Sequence, residues 1–395
     1  MKTPPAARRV VALSPTAMNA ILAEVRALQQ AGRNVMSLAR GEPDLPTPPH
    51  IVEVAIAALR AGRTGYPQNQ GELALREAVA AKLRRQGLDY SPADEILITD
   101  GATLGIYAAL ASVLDPGDEI LVPDPIYDAY QSPIALVGGV SVAVSAEIRE
   151  GRFALSVDRL SRACTPRTRA VLFNTPWNPT GTVLRRDELA AIAALAEERN
   201  LVIISDEIYE NMIYDGRQHL SPASISPQVR QRTILINSFS KTYAMTGWRL
   251  GYCAGPAPLI AAMYLVLQQS SRGPATFVQD AGVAALNGPQ NCVSAMQAEY
   301  AKRRDQVSAA FWGLSGVHVM PPEGGFFAMF DVRGLGASSN DIRRRLLHEQ
   351  GVVVVHGSAY GTAGEGTLRV SFASGGKNLA EGLDRLRAGL LEFRR

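Results

Sequence analysis

Five short apolar runs, each ending in polar, proline or glycine residues, constrain this chain more than any other feature. Glu95–Thr99 ends at Asp100-Gly101-Ala102-Thr103, Glu119–Val122 at Pro123-Asp124-Pro125, and Ala170–Phe173 at Asn174-Thr175-Pro176. Leu201–Ile204 ends at Ser205-Asp206-Glu207, and Ile234–Ile236 runs into Ser238-Phe239-Ser240-Lys241. Helical spacing of apolar residues is predicted from about Leu104 to Leu114 and over Asp187–Arg199, the latter with a charged opposite face. Continuous apolar strands separated by helices form a mainly parallel sheet covered on both faces, since the crossover helices leave neither face to water. Such sheets bind ligands outside the carboxyl ends of their strands. The polar residues after all five runs are therefore expected around one crevice.

The richest of those strand ends is Ser-Phe-Ser-Lys-Thr-Tyr-Ala-Met-Thr-Gly-Trp-Arg, residues 238–249. It sets Lys241 beside the hydroxyls of Ser238 and Ser240, with Arg249 eight residues downstream. A lysine at the mouth of a sheet, next to groups suited to a phosphate, can hold an aldehyde cofactor as a Schiff base. A solvated loop lysine is the plainer reading of Lys241 taken alone.

Composition narrows the alternatives. The chain has 395 residues, 47% hydrophobic and 19% charged, enough for a large core and two domains. A net charge of +3, with no basic run interleaved with aromatics, gives no argument for nucleic acid. No apolar stretch approaches the ~20 residues of a membrane helix, and the basic N-terminus lacks the apolar segment of a signal peptide. Cys164, Cys253 and Cys292 fit neither a disulfide framework nor a metal site, and read as reduced thiols of a cytoplasmic protein. The five histidines lack paired-ligand spacing, so no metal is expected. From about Cys292 the pattern changes to a long helix (Val293 to about Leu314), four short strands and a final helix. That is the pattern of a smaller α+β domain.

Four motifs occur in order: Gly41-Glu42-Pro43-Asp44, Asn174-Thr175-Pro176-Trp177-Asn178-Pro179-Thr180-Gly181, Asp206-Glu207-Ile208-Tyr209 and the lysine segment. With them, from Gly41 to Arg369, the chain resembles the class I/II aminotransferases of fold type I, which depend on pyridoxal 5′-phosphate (PLP). It is similar in particular to their bacterial aspartate aminotransferase-like branch. The resemblance implies an α/β fold with a large PLP-binding domain (46–291), a small C-terminal domain (292–395) and an N-terminal arm (1–45). The arm has no evident sheet partner and is expected to pack on the small domain. It further implies a homodimer with shared active sites and small-molecule amino acid and 2-oxo acid substrates.

The resemblance also assigns roles. Lys241 is the Schiff-base lysine and proton shuttle, a task that needs an amine. Asp206 faces the pyridine nitrogen, where a carboxylate keeps that nitrogen protonated; its plainer reading is a helix N-cap. Tyr209 and Asn178 donate to the phenolic oxygen, and Tyr127 stacks on the ring. Gly101, Ala102 and Thr103 offer free N–H groups to the phosphate, completed by Ser238, Ser240 and Arg249. Tyr66 reaches the phosphate of the neighbouring subunit. Arg369, an arginine inside an apolar strand, grips the substrate α-carboxylate, unless an internal salt bridge claims it. Gly41 lets backbone approach the same substrate. Asn178-Pro179 and Asp124-Pro125 are candidates for cis bonds.

Two positions depart from the aspartate-specific pattern. Thr103 stands where many such relatives carry a lysine that holds the distal carboxylate, and Arg40 is a candidate replacement contact. The reaction expected is transfer of an amino group from an L-amino acid to 2-oxoglutarate or pyruvate by a ping-pong route. The alternatives are a β-lyase, synthase or oxidase on the same fold, or a PLP-binding regulatory protein, for which no DNA-binding module is evident.

Overall fold

A computed structural model describes residues 6–11, 13 and 16–393. Its centre is a seven-stranded sheet: β1 (Ile96–Thr99), β2 (Glu119–Asp124), β3 (Val140–Ser145), β4 (Thr168–Asn174), β5 (Val202–Asp206), β6 (Thr233–Ser238) and β7 (Gly251–Ala254). The spatial order is β1-β7-β6-β5-β4-β2-β3. All pairings are parallel except those of β7, which runs antiparallel to β1 and β6. The five runs read from sequence are β1, β2, β4, β5 and β6, and two more strands join them. β3 is an edge strand, half exposed, and its alternation of valine with small residues carries less apolar signal than the buried runs. β7 is four residues long and begins with glycine.

The buried strands are apolar on both faces because helices cover both. Helix α1 (Ala17–Gln30) belongs to the arm. α2 (Gly101–Val113), α3 (Arg186–Glu198) and α4 (Ala257–Ser270) flank the large sheet. On one side Ile106 and Leu110 of α2 and Ile260 and Met263 of α4 pack on Ile120, Leu172, Ile204 and Ile236. On the other, Leu189 and Ile192 of α3 pack on Leu121, Val171, Phe173 and Ile203.

The second sheet is antiparallel, ordered β8 (His318–Met320), β9 (Phe327–Asp331), β11 (Thr367–Ser371), β10 (Val355–His356). It packs with α5 (Asn291–Ala310), α6 (Ser339–Gln350) and α7 (Gly376–Glu392) around Phe326, Phe330, Leu346, Phe372 and Leu386. The arm docks here. Ile21 and Val25 of α1 cluster with Leu347, Val353, Val355 and Tyr360, and Asp44 accepts bonds from Arg303 (2.8 Å) and Gly375 N (2.7 Å). Contrary to the expectation of an arm without sheet partners, Met36–Ser37 pairs in parallel with Val352–Val353. Two residues are too few to show a strand period in sequence.

Candidate active site

The carboxyl ends of the parallel strands open into a cavity of about 820 Å³. Lys241, Asp206, Ser238, Ser240, Arg249 and Arg369 all line it, so groups scattered over 164 residues of sequence share one space. Ala102, Thr103, Tyr127, Asn178, Tyr209, Gly41 and Arg40 line it as well.

Asp206 is the last residue of β5, in register with Asn174 on β4. It is 2% exposed, and Tyr130 Oη donates to its Oδ2 at 2.5 Å while Ile208 N donates to Oδ1 at 3.3 Å. Burial pushes its carboxyl up to about 6, against the lowering effect of those two hydrogen bonds. No helix opens directly after β5 among the described residues, so the helix N-cap reading of Asp206 does not apply; the bond from Ile208 N belongs to a turn, and the carboxylate lines the cavity. Asn174 supports the arrangement twice: its Nδ2 donates to Asp206 O at 2.8 Å and its Oδ1 accepts from Asn178 N at 2.7 Å. Both Asn178-Pro179 and Asp124-Pro125 are cis, and so is Thr175-Pro176.

Lys241 sits in a one-turn helix, Phe239–Thr242, whose N-cap is the final residue of β6, Ser238; Ser238 Oγ accepts from Ser240 N at 3.1 Å. The lysine Nζ donates to Gly41 O at 2.5 Å and lies 5.9 Å from the Tyr209 ring centroid and 5.6 Å from that of Phe326. Burial pushes its pKa down to about 8, with Glu42 and Asp206 pulling the other way. A Cβ on Gly41 would meet no protein atom within 4 Å, so the space over it is open. Tyr209, in the turn after β5, is 3% exposed, and burial raises its phenol well above the ordinary range.

Thr99, Gly251 and Ser238 stand side by side across three neighbouring strands. Ser238 Oγ lies 2.8 Å from Ser240 Oγ, and α2 starts at Gly101. Arg249 has φ +54 and donates to Thr246 O (3.0 Å) and Asp100 O (3.4 Å), with no carboxylate partner among the described residues. Gly101 has φ +77, and a Cβ there would come within 2.6 Å of an Arg249 guanidinium nitrogen. The positive φ is what favours glycine there, since the guanidinium end could shift aside. Gly101 itself is buried behind the cavity wall.

Arg369 lies mid-strand in β11, 3% exposed. One terminal nitrogen donates to Asn178 Oδ1 at 3.0 Å and the other to Ala39 O at 3.2 Å, while Nε has no partner. Its guanidinium lies 4.1 Å from the Phe327 ring centroid and 4.9 Å from that of Tyr360. Among the described residues no carboxylate comes within 4.0 Å, so the salt-bridge reading fails. A buried guanidinium without a counter-ion is costly, and the cavity it faces is where an anion would complete it.

Of the expected contributors, one lies outside the cavity and one is paired at its rim. Tyr66 is 89% exposed and does not line its own chain's cavity; Arg272 lies over its ring at 5.9 Å. Arg40 sits at the rim with its guanidinium 3.2 Å from Glu42 Oε1, and Glu42 also accepts from Thr246 Oγ1 at 2.9 Å. A carboxylate-binding role would require that pair to open. Sequence reasoning missed Tyr130 and Asn174, which act on Asp206 and Asn178. It also missed Thr16, Met18, Asn19 and Leu22 of the arm, which wall the cavity mouth.

The residues present fit PLP: a buried carboxylate, an amine, aromatic side chains, and an arginine and two serine hydroxyls beside the start of α2 sit in one cavity. The family model for aminotransferase class I and II matches residues 33–386. The chain belongs to that family. With the family come the enzyme class, a transaminase, and the cofactor, PLP. An aromatic-amino-acid aminotransferase 2 of Thermococcus litoralis is 41% identical, covering 92% of this chain and 94% of that protein. An aspartate aminotransferase of a Bacillus species is 37% identical over 96% of this chain and 97% of its own. The solved structure of Thermus thermophilus aspartate aminotransferase with maleate superposes with a TM-score of 0.91, at 37% identity, covering 98% of this chain and all (100%) of that one. The fold is that of these enzymes, α/β with a mixed central sheet.

Proposed function

We propose that this transaminase moves the amino group of an L-amino acid to a 2-oxo acid, 2-oxoglutarate or pyruvate, in a ping-pong exchange. The first product leaves before the second substrate binds. Lys241 would hold the cofactor's aldehyde carbon. As a free amine it takes the proton from the substrate Cα. A lysine titrating near 8 keeps a useful neutral fraction at physiological pH, which an ordinary lysine does not. Asp206 would keep the pyridine nitrogen protonated, Tyr130 fixing the carboxylate's orientation. Tyr209 and Asn178 would donate to the phenolic oxygen and Tyr127 would stack on the ring. Ser238, Ser240, Arg249 and the first N–H groups of α2 (Gly101, Ala102, Thr103) would hold the phosphate. Bound there, PLP supplies an electron sink for the pair left when the Cα proton departs. Arg369 would grip the α-carboxylate in two parallel hydrogen bonds, beside the Gly41 backbone, and so orient the Cα–H bond.

The observation that carries this reading is Arg369, buried and without a counter-ion in the same cavity as the amine and the carboxylate. We read residues 46–291 as the cofactor domain, 292–395 as the small domain and 1–45 as the arm. The exposed Tyr66 ring supports a homodimer in which it reaches the partner's phosphate. A screen of the twenty amino acids against 2-oxoglutarate and pyruvate tests the reaction. Oxo-acid-dependent amino transfer is expected. Ammonia or thiol release independent of any oxo acid would instead make the enzyme a lyase, synthase or oxidase.

A further inference from the structure

Four cations line the cavity: Arg40, Lys241, Arg249 and Arg369. Three anions do: Glu42, Asp128 and Asp206. On the reading above, Lys241 is taken by the cofactor aldehyde, Arg249 by the phosphate, Asp206 by the pyridine nitrogen and Arg369 by the α-carboxylate. Arg40 and Glu42 neutralise each other at 3.2 Å. One charge is left over, and it is Asp128.

Asp128 opens the 3-10 turn Asp128–Tyr130, just past the end of β2. Tyr127 precedes it, and Tyr130 closes the turn with its hydroxyl committed to Asp206. Among the described residues no lysine, arginine or histidine nitrogen lies within 4.0 Å of its carboxylate. Burial pushes its carboxyl up, against the charge of Arg369 acting from beyond 4.0 Å and a smaller effect of the Thr16 hydroxyl. Met18, Leu22 and Asn19 line the same cavity, and on the assignments above none of its cations is left to receive a second carboxylate. Thr103, which also lines it, is uncharged.

We propose that Asp128 is a specificity-determining residue that turns the side-chain pocket against dicarboxylic substrates. The pocket then takes amino acids with neutral, largely apolar side chains and monocarboxylic 2-oxo acids. This rests on the assignment of Arg369 to the α-carboxylate. A distal carboxylate bound beside Asp128 places two like charges in a partly desolvated space with no cation between them, which costs affinity steeply. A neutral side chain loses nothing there, and one that ends in a hydrogen-bond donor gains an acceptor.

Glutamate and glutamine differ at that end by charge and scarcely by shape, so their ratio isolates the effect. Single-turnover rates of the holoenzyme, followed by loss of cofactor colour, should favour glutamine over glutamate by about tenfold or more in kcat/KM. Asp128→Asn should compress that ratio by about tenfold, through the glutamate value. Pyruvate should likewise outperform 2-oxoglutarate as acceptor, and the variant should narrow that gap. A merely structural role would lower both amino acids together and leave the ratio where it was. Wild-type enzyme that uses glutamate as well as glutamine overturns the proposal, as does an unmoved ratio in the variant. Should Asp128→Asn fail to fold, Asp128→Ser supplies the same comparison. If no amino acid discharges the cofactor, the transaminase reading of the site has failed instead. The Asp128 proposal is then decided by holoenzyme binding of pentanoate against glutarate, where equal affinities would overturn it.

Discussion

Two buried arginines in this molecule make opposite arrangements. Arg152, 8% exposed, lies 2.9 Å from Glu188 and 3.3 Å from Glu323, and Arg303 is held in the same way by Asp44 and Glu299. Arg369, 3% exposed, has an amide oxygen, a backbone carbonyl and two aromatic rings, but no anion. The same contrast separates two lysines. Lys82 pairs with Glu210 at 2.6 Å beside the Phe239–Thr242 turn, whereas Lys241 in the cavity donates only to a carbonyl. Burial works against ionised Glu210, but Lys82 and His219 outweigh it and hold its pKa below the usual range. Where every buried charge has a partner, the cluster supports the fold. Where partners are missing, the protein has left the charge for a ligand, at a cost in stability.

Variants should sort along that line. The largest effect is expected from Lys241→Ala, which removes both the covalent anchor and the proton carrier. Its amino-transfer rate should fall by about 10⁴-fold, with cofactor still bound; a loss below about tenfold in steady-state assays would break the distinction. Asp206→Ala should cost roughly 10²–10³-fold in kcat through loss of the preorganised carboxylate. Preserved kcat would remove Asp206 from the chemistry. Arg369→Leu should lower kcat/KM for amino acids by roughly 10²-fold while thermal stability stays level or rises, since it deletes a buried charge without a counter-ion. Arg152→Leu sharpens the comparison by inversion. It strands Glu323 and Glu188 and should cost about 3–5 kcal/mol of stability, with kcat/KM of the folded enzyme unchanged. If both arginine variants altered the same quantity, the contrast between them would collapse.

The smallest effect concerns pH. Because burial depresses the Lys241 pKa to about 8, the neutral, nucleophilic amine is the minor form below that pH and the major form above it. Capture of PLP by the cofactor-free protein should therefore speed up about tenfold per pH unit up to 8 and then level off. A rate still climbing toward pH 10 would show an unperturbed lysine.

Much of this was legible in the sequence because it lies at strand ends. Buried parallel strands are uniformly apolar, so the residue where Leu201–Ile204 gives way to Asp206, or Ile234–Ile236 to the lysine segment, marks the crevice by itself. Arg369 was legible for the converse reason, a charge inside an apolar strand. Tyr130 was not, since its importance is a hydrogen bond to a residue 76 positions away. Asp128 in sequence is one more acidic loop residue; only the cavity shows that every other charge around it is taken. β3 and the Met36–Ser37 pairing were missed because an exposed edge and a two-residue strand leave little apolar pattern.

The chain contains five lysines: Lys2, Lys82, Lys241, Lys302 and Lys377. Borohydride reduction of the holoenzyme followed by peptide mass mapping asks directly which of them holds the cofactor. A single phosphopyridoxyl adduct on the peptide carrying Lys241 is the predicted result. An adduct on Lys82, the half-buried lysine paired with Glu210, or on any of the remaining three, would contradict the site as described.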